Sequence, residues 1–249
     1  MLNRDDPSPV FVANPNGRSP YLIIGDHAGR AIPAALGDLG LPPEVMDRHI
    51  AWDIGVAGLG DLLAGALDAC FIRQTYSRLV IDCNRGPESL EAAPAISDGT
   101  VIPANQALTP VDLAMRRREI CDPYQAAIAD VLDARRDRGQ ATLLFSLHSF
   151  TPVFAGLVRS WRFGVLHRGD SALSKRMLAL LRDRLGDAAG DNQPYAMDGI
   201  DYTVPLHADA RGLDYLELEV RQDLIGDEPG QRDIAAFLAP ILRAAVAPD

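Results

Sequence analysis

Two histidines of this sequence close apolar runs and are candidates for metal ligation. His27 follows "YLIIGD", and His148 ends "ATLLFSLH". Two imidazoles with one oxygen ligand from separate segments form the donor set of a catalytic zinc site that keeps one coordination position open, although other divalent metals accept the same donors. A carboxylate beside such a site, here Glu219 of "YLELEVRQD", accepts a proton from water whose pKa the metal lowers to about 7. The sequence thus predicts metal-assisted hydrolysis.

The source of the oxygen ligand is open at this point. Asp53 stands four residues after His49 in "HIAWDIG", which is one helical turn, so the two side chains are predicted to face the same point. Asp53 also suits the N-terminus of the helix predicted over "DIGVAGLGDLLAGALDA", where a carboxylate caps free amides. Metal ligation and helix capping are therefore competing interpretations of Asp53. His167, which has no partner nearby in the sequence, is interpreted as structural.

The segment "YSRLVIDCNRGPES" places further polar groups where a strand is predicted to end. Its apolar centre at 79–81 is typical of a buried strand, and Asp82, Asn84 and Arg85 follow at once. In an α/β sheet, chemistry collects at the carboxyl ends of the strands, so these side chains are expected at a functional site. In the alternative interpretation, Arg85 pairs with a neighbouring carboxylate and only pins the following loop.

The alternation in "YLELEVR" (215–221) predicts a strand with one apolar and one charged face. The charged side chains are those of Glu217, Glu219 and Arg221. Such a strand either lies at a sheet edge with its charged face in solvent or lines a cleft. The polar residues His207 and Arg211, which come just before it, favour the cleft.

Strands and helices alternate along the chain. Strands are predicted at 21–25, 71–76, 78–82, 141–150, 163–169 and 215–221, with helices over most of the segments between them. This order predicts an α/β fold, a single domain over 1–249 with a mixed, largely parallel sheet and helices on both faces. Residues 1–19 are expected to be irregular. The long loop from Asn84 to about Thr109 is expected to be functional or mobile.

The composition excludes several classes of protein. The net charge of −10 argues against nucleic acids and anionic membranes as partners, because neither tolerates an acidic surface without a basic patch. No apolar window of about 18 residues is present, and no secretory signal is visible at the N-terminus. Three cysteines without a CxxC pair fit a reducing compartment, so a cytoplasmic location is expected. The sequence leaves the oligomeric state open.

Several segments together resemble the N-formylglutamate amidohydrolases, whose fold is similar to that of zinc carboxypeptidases and aspartoacylases. Over roughly 20–228, the resemblance is carried by "DHAGRAIP", "RHIAWDIGVAGL", "YSRLVIDCNR", "LHSFTPVFAG", "RSWRFGVLH", "YTVPLHADARGL" and "LEVRQDLI", in that order. The "IDCNR" stretch is similar to the Asp-x-Asn-Arg stretch with which aspartoacylases hold substrate, which implies that Asn84 and Arg85 contact the substrate. The resemblance also implies a zinc-exopeptidase-like fold and a small-molecule substrate, an N-acyl amino acid.

The sequence departs from the zinc carboxypeptidase-like proteins at one ligand. Those proteins pair the first ligand histidine with a glutamate three residues later, whereas Arg30 occupies that place after His27. A guanidinium does not bind a metal, so another carboxylate is required. Asp53 is the predicted third ligand. Asp26 is the second choice, since adjacent side chains on an extended strand end point in opposite directions.

The resulting hypothesis is a metal-dependent amidohydrolase with one divalent ion, expected to be zinc, held by His27, Asp53 and His148. The expected substrate is N-formylglutamate or a related N-acyl acidic amino acid. Arg85, helped by Asn84, is predicted to bind the substrate carboxylate. Arg221 or His207 is predicted to stabilise the oxyanion. The remaining predicted substrate contacts are Ser149 and Arg159, with Arg162 the next candidate.

Two other functions remain open. A binding protein that kept the fold and lost turnover would need the arginines but not Glu219. A metal-free hydrolase with Ser149 beside His148 is disfavoured, because neighbouring residues on a strand face opposite ways and the sequence contains no G-x-S-x-G motif. The metal content per chain separates these hypotheses.

Overall fold

The computed structural model describes residues 1–247, apart from the side chain of Leu90. The last two residues of the predicted 1–249 domain lie outside this range. The strands are β1 (Val10–Ala13), β2 (Tyr21–Gly25), β3 (Cys70–Gln74), β4 (Ile96–Ser97), β5 (Thr100–Val101), β6 (Leu143–Phe150), β7 (Val153–Phe154), β8 (Leu157–Val158), β9 (Phe163–Leu166), β10 (Ala189–Asp191) and β11 (Tyr215–Arg221). The α-helices are α1 (Val56–Leu67), α2 (Pro110–Arg116), α3 (Asp122–Asp137), α4 (Ala172–Leu185), α5 (Thr203–Ala208) and α6 (Glu228–Ala245).

Seven of the strands form the central sheet, in the order β1-β3-β2-β6-β11-β9-β10. Strands β3, β2, β6 and β11 run parallel to one another, whereas β9 is antiparallel to β11 and β1 is antiparallel to β3. The predicted mixed, largely parallel α/β sheet is therefore confirmed. The expectation that 1–19 is irregular is wrong for Val10–Ala13, because these residues pair with β3 at the sheet edge.

Helices cover both faces of this sheet. Helices α1, α4 and α6 pack on one face, and the leucine and valine side chains of β11 lie in that core. Helices α3 and α5 cover the other face. Strand β11 lies between β6 and β9 and is buried from Tyr215 to Val220, so the interpretation of 215–221 as a solvated edge strand is wrong.

The apolar run at 79–81 is a buried turn and not the strand that the sequence predicts. Its backbone groups bond to distant side chains. Asn105 Nδ2 donates to the Leu79 carbonyl at 2.8 Å, and Arg116 Nη1 donates to the Val80 carbonyl at 2.8 Å. A buried backbone that finds such partners does not need a neighbouring strand. The polar residues that follow therefore leave a packed turn rather than a sheet.

Helix ends follow local signals in some places and not in others. Thr109 caps α2, because its hydroxyl accepts a bond from the Asp112 amide at 3.2 Å while the Asp112 carboxylate accepts one from the Thr109 amide at 3.0 Å. Asp53 does not cap α1, since Gly55 occupies the N-cap position of that helix. Among 1–247, no helix has both the length and the apolar character needed to cross a membrane.

Candidate active site

The three predicted metal ligands meet at the carboxyl ends of the parallel strands. His27 lies just beyond β2, His148 lies near the end of β6, and Asp53 lies in the loop before α1. All three side chains are buried, and one donor atom from each lies within 4.8 Å of the other two. Asp53 Oδ2 is 2.9 Å from His148 Nδ1 and 3.5 Å from His27 Nδ1. Neighbouring parallel strands thus bring together side chains that are far apart in sequence.

Hydrogen bonds on the outer side of each imidazole set its orientation. His27 Nε2 lies 2.7 Å from Asp82 Oδ1, and His148 Nε2 lies 3.0 Å from Ser146 Oγ. Asp26 Oδ2 lies 3.6 Å from His148 Nε2, beyond hydrogen-bond distance. Both Nδ1 atoms therefore face Asp53. Among the described residues, His27 Nδ1 has no hydrogen-bond partner although it is buried. A carboxylate behind a ligand histidine with the other ring nitrogen left free is the usual surrounding of a metal-binding imidazole. Asp26 lies behind His148 and not among the inward donors.

The electrostatics of the three donors favour a cation between them. Burial alone raises the pKa of Asp53, but His27 and His148 outweigh it and lower that pKa below its usual range. Burial disfavours the charged ring of His148, yet Asp53 and the two nearby glutamates raise its pKa well above its usual value. The carboxylates thus hold protons on the imidazoles. A divalent cation satisfies the same carboxylates with neutral imidazoles, because metal ligation displaces those protons.

Two glutamates of β11 extend the site from the donors into a cavity of about 290 Å³. Glu219 pairs in register with His148, and Glu217 pairs with Ser146, so both carboxyl groups lie on the charged face of the strand. Burial raises the pKa of Glu217 to about 8 and that of Glu219 to about 7. Glu219 Oε2 is buried and has no hydrogen-bond partner among the described residues. The cleft interpretation of β11 is confirmed for these two glutamates.

Arg78 is a cavity residue that the sequence interpretation missed. Its Nη2 atom lies 2.7 Å from Asp82 Oδ2, and its Nη1 atom lies 3.4 Å from Asp53 Oδ1. Burial lowers the pKa of Arg78, but these two carboxylates raise it above its usual value, so the side chain stays charged. The spacing of Arg78 and Asp82, four residues apart, was the available signal. The sequence interpretation assigned 78–82 to a strand and for that reason did not recognise the pair.

Arg85 and Asn84 both line the cavity but differ in what their side chains contact. Arg85 Nη1 donates to the Asn84 carbonyl at 3.1 Å, and among the described residues its guanidinium forms no ion pair. The Asn84 amide is occupied by protein, since its Oδ1 accepts bonds from the Tyr202 and Thr203 amides, each at 2.9 Å, and its Nδ2 donates to Asp201 at 3.2 Å. Arg85 is therefore free for a ligand, whereas Asn84 holds the segment at 201–203.

The structure does not bring the two predicted oxyanion donors to the cavity. Arg221 Nε donates to Asp223 at 2.7 Å, and Arg221 Nη1 donates to the carbonyls of Arg159 and Trp161 at 3.3 and 3.4 Å. His207 lies on α5, where its Nε2 atom is 2.8 Å from the Gln125 amide oxygen. These contacts hold both side chains away from the three donors, and the oxyanion assignment is corrected on that ground.

The two remaining predicted substrate contacts are both engaged by protein. Ser149 lines the cavity, but its hydroxyl donates to the Ile54 carbonyl at 2.9 Å and not to the neighbouring histidine, which disfavours a serine nucleophile. Arg159 Nη1 donates to the Tyr195 hydroxyl at 2.9 Å, and its guanidinium lies 4.8 Å from the Phe154 ring centroid. Tyr195 lines the cavity, whereas Arg159 lies behind it. Arg159 therefore supports the wall and does not reach the substrate space.

The other histidines near the sheet lie apart from the three donors. His49 lines the cavity, but its Nε2 atom is 3.6 Å from Asp98 Oδ2, and 49–51 form a turn and not a helix. The predicted helical relation between His49 and Asp53 is therefore wrong. His167 lies 3.0 Å from Asp191, consistent with the structural role expected for it.

Comparisons with known proteins agree with this fold and give its family. The family profile described as N-formylglutamate amidohydrolase matches 19–226 of the chain. The gene product Atu2144 from Agrobacterium tumefaciens is 34% identical and superposes with a TM-score of 0.94 over 98% of this chain and 97% of that one. N-formylglutamate amidohydrolase from Ralstonia eutropha JMP134 is 21% identical, with a TM-score of 0.67 over 96% of this chain and 97% of that one, which is a likeness of fold. No curated protein matches. Because the family profile covers most of its length, this chain belongs to the N-formylglutamate amidohydrolase family and is a hydrolase.

Proposed function

We propose that the chain hydrolyses the amide bond of an N-acyl amino acid with the help of one divalent metal ion, expected to be zinc. The observation that carries the proposal is the buried group formed by His27, Asp53 and His148, whose donor atoms lie within 4.8 Å of one another. Glu219 lies beside this group with a carboxylate oxygen that has no partner among the described residues. N-formylglutamate, which names the family, is the first substrate to test.

The donor set fits a divalent cation. Two imidazole nitrogens and one carboxylate oxygen from three segments would hold the cation, and this is the ligand set of many catalytic zinc sites. The cation would supply Lewis-acid chemistry, because it polarises an amide carbonyl and makes water more acidic. Asp82 behind His27 and Ser146 behind His148 keep the other ring nitrogens directed inwards.

Glu219 is the proton carrier in this proposal. Its carboxylate takes a proton from the attacking water and delivers it to the leaving nitrogen, so one side chain serves both halves of the hydrolysis. Burial brings the pKa of Glu219 to about 7, where a carboxylate is a stronger base than an exposed glutamate and still gives up its proton. The products are the carboxylic acid from the acyl group and the free amino acid.

Two arginines are assigned to the substrate. Arg85 binds the carboxylate of the amino acid through its planar fork, because it is the cavity guanidinium without an ion pair among the described residues. Arg78, which the contacts to Asp53 and Asp82 hold beside the donors, stabilises the oxygen that becomes negative during attack. Arg78 thus takes the role that the sequence interpretation gave to Arg221 or His207.

The metal requirement is tested by elemental analysis and by turnover of N-formylglutamate. We expect about one divalent ion per chain, with loss of both metal and formate release after treatment with a chelator and in His27→Ala, Asp53→Ala and His148→Ala. Asp98→Asn is the matched control, since Asp98 contacts His49 at the same cleft but is not among the three donors. Full metal occupancy in both histidine variants contradicts the site. Bound metal with no hydrolysis of any N-acyl amino acid supports the binding-protein alternative.

A further inference from the structure

Arg159, behind the wall of the active-site cavity, is a buried cation that has no carboxylate partner among the described residues. Aromatic rings surround its guanidinium, which lies 4.8 Å from the Phe154 ring centroid and 4.7 Å from that of Tyr195. Its Nη1 atom donates to the Thr151 carbonyl at 3.4 Å and to the Tyr195 hydroxyl at 2.9 Å. A charge that is buried without a counter-ion is costly unless other groups compensate it. The closest hydrogen bond of this cation goes to Tyr195.

The bond from Arg159 leaves the Tyr195 hydroxyl as a donor. Its oxygen accepts from the guanidinium, and within 1–247 no protein group accepts its proton. Burial and the charge of Glu219 raise the pKa of Tyr195, although Arg159 acts in the opposite direction. The phenol therefore keeps its proton at neutral pH. A hydroxyl that accepts from a cation is also polarised towards donation, because hydrogen bonds in a chain strengthen one another.

The chain that leads to Tyr195 runs across β9 towards Glu219. The Gln193 carbonyl lies against Gly164 of β9 and leaves no room there for a Cβ. Gly164 is the register partner of Glu219 on β11, and a Cβ at Gly164 would lie 3.4 Å from the Glu219 Cβ. Tyr195 follows two residues after Gln193 and lines the cavity that holds the three donors and Glu219. Its ring thus reaches the cavity from the β9 side of the sheet.

Arg78 reaches the same cavity from the opposite side. It lies in the turn that follows β3, and the donor-bearing strands β2 and β6 come between β3 and β11 in the sheet. Arg78 and Tyr195 therefore flank the three donors, one from each side. Two hydrogen-bond donors that face each other across a catalytic group are placed to bind one oxygen of a substrate between them.

We propose that Tyr195 is a catalytic residue whose hydroxyl donates a hydrogen bond to the acyl oxygen of the substrate, and that Arg159 is the residue that positions this hydroxyl. The inference rests on the proposed function and adds a second donor to Arg78. The acyl oxygen carries little charge before water attacks and a negative charge afterwards, so the hydrogen bond is stronger in the transition state than in the bound substrate. The proton stays on Tyr195 throughout. Its contribution is therefore to kcat and not to substrate affinity.

The test is Tyr195→Phe in the metal-loaded protein, with N-formylglutamate and its α-amide as substrates. We expect kcat to fall by about 10²-fold with both compounds while KM stays within about twofold, because one transition-state donor is lost. The ring that contacts Arg159 remains, so Tm and metal content should stay close to those of the unmodified protein. Tyr202→Phe is the matched control, since Tyr202 lies on the same segment but lines neither the active-site cavity nor the space beside it. It should leave kcat unchanged.

The positioning role of Arg159 is tested with a double-mutant cycle. Arg159→Met removes the cation and keeps an apolar side chain among the rings, and it should lower kcat by about tenfold with little change in KM. In the Tyr195→Phe background the same substitution should change kcat by less than about twofold, because the hydroxyl that it positions is already absent. A further tenfold loss in that background would show that Arg159 supports the fold of the wall, and it would overturn the positioning role.

The outcomes separate this inference from the function on which it rests. Near-normal kcat in Tyr195→Phe, with an active unmodified protein, overturns the catalytic role of Tyr195 and leaves the amidohydrolase proposal standing. A rise in KM for N-formylglutamate but not for its α-amide also overturns it, since the hydroxyl then binds the substrate carboxylate. Failure of the unmodified protein to hydrolyse any N-formyl or N-acetyl amino acid at full metal occupancy overturns the proposed function, and the role of Tyr195 with it.

Discussion

Glu219→Gln is the most direct test of the proposed chemistry. The substitution keeps the length and shape of a buried side chain on β11 but removes its ability to accept a proton. Loss of a general base lowers turnover by roughly 10²–10⁴-fold, which is a rise of about 3–5 kcal/mol in the barrier. We expect this loss in kcat, with KM and metal content close to those of the unmodified protein, because the three donors are untouched.

Glu217 provides the matched control two residues earlier on the same face. Burial raises its pKa to about 8, which favours the neutral form of the side chain near neutral pH. Glu217→Gln then exchanges one neutral group for another of the same size, and turnover should stay within a few-fold of the unmodified protein. The different environments of the two glutamates, rather than their chemistry, predict the different outcomes.

The assay is the release of free amino acid from N-formyl or N-acetyl substrates by metal-loaded protein, with metal content measured in the same samples. Near-normal turnover in Glu219→Gln at full metal occupancy refutes the assignment of the base. If Glu217→Gln is inactive while Glu219→Gln is active, the two roles are exchanged, and Glu217 rather than Glu219 carries the proton.

Two further predictions concern groups outside this pair. Arg85→Lys keeps the charge but loses the planar fork, so kcat/KM for carboxylate substrates should fall at least tenfold with little change in Tm, while neutral amide analogues lose nothing; a matching loss of Tm would show that Arg85 pins the loop. Burial lowers the pKa of His207 from 6.5 to about 4, so the unfolded chain takes up a proton first as the pH falls. Between pH 7 and pH 5 the unmodified protein should therefore lose about 2 kcal/mol of its free energy of unfolding through His207. In urea titrations at the two pH values, the loss of unfolding free energy in His207→Gln should be smaller by this amount. An equal pH dependence in both proteins would contradict the prediction.

The parts of the fold that the sequence predicts well are those with strong periodicity. The predicted limits 21–25 and 215–221 coincide with β2 and β11, because a fully apolar run and a strict alternation each fit one kind of strand. The segment 78–82 is equally apolar at its centre but forms a turn. Its backbone partners, Asn105 and Arg116, lie far away in sequence, and no local pattern reveals them.

The residues of the candidate site also differ in how well the sequence predicts them. His27 and His148 could be predicted because each stands at the end of an apolar run, and strand ends meet at one edge of a parallel sheet. Arg221 shares the charged face with Glu219, but it lies at the last position of β11, where Asp223 holds it. Sequence alternation gives the face of a strand on which a side chain lies. Sequence alternation does not give the residue that a long side chain contacts.

The turn at 78–85 explains why so many polar groups can follow a buried apolar run. On a strand, successive side chains would point to opposite faces, and Asp82 and Arg85 would lie on different sides of the sheet. Because side chains and not a neighbouring strand satisfy its backbone, the segment can curl, and it presents Arg78, Asp82 and Arg85 to the same cleft. Asp82 then orients both His27 and Arg78, at 2.7 Å from each. One buried turn thus links the candidate metal ligand, the cation beside it and the guanidinium that remains free for substrate.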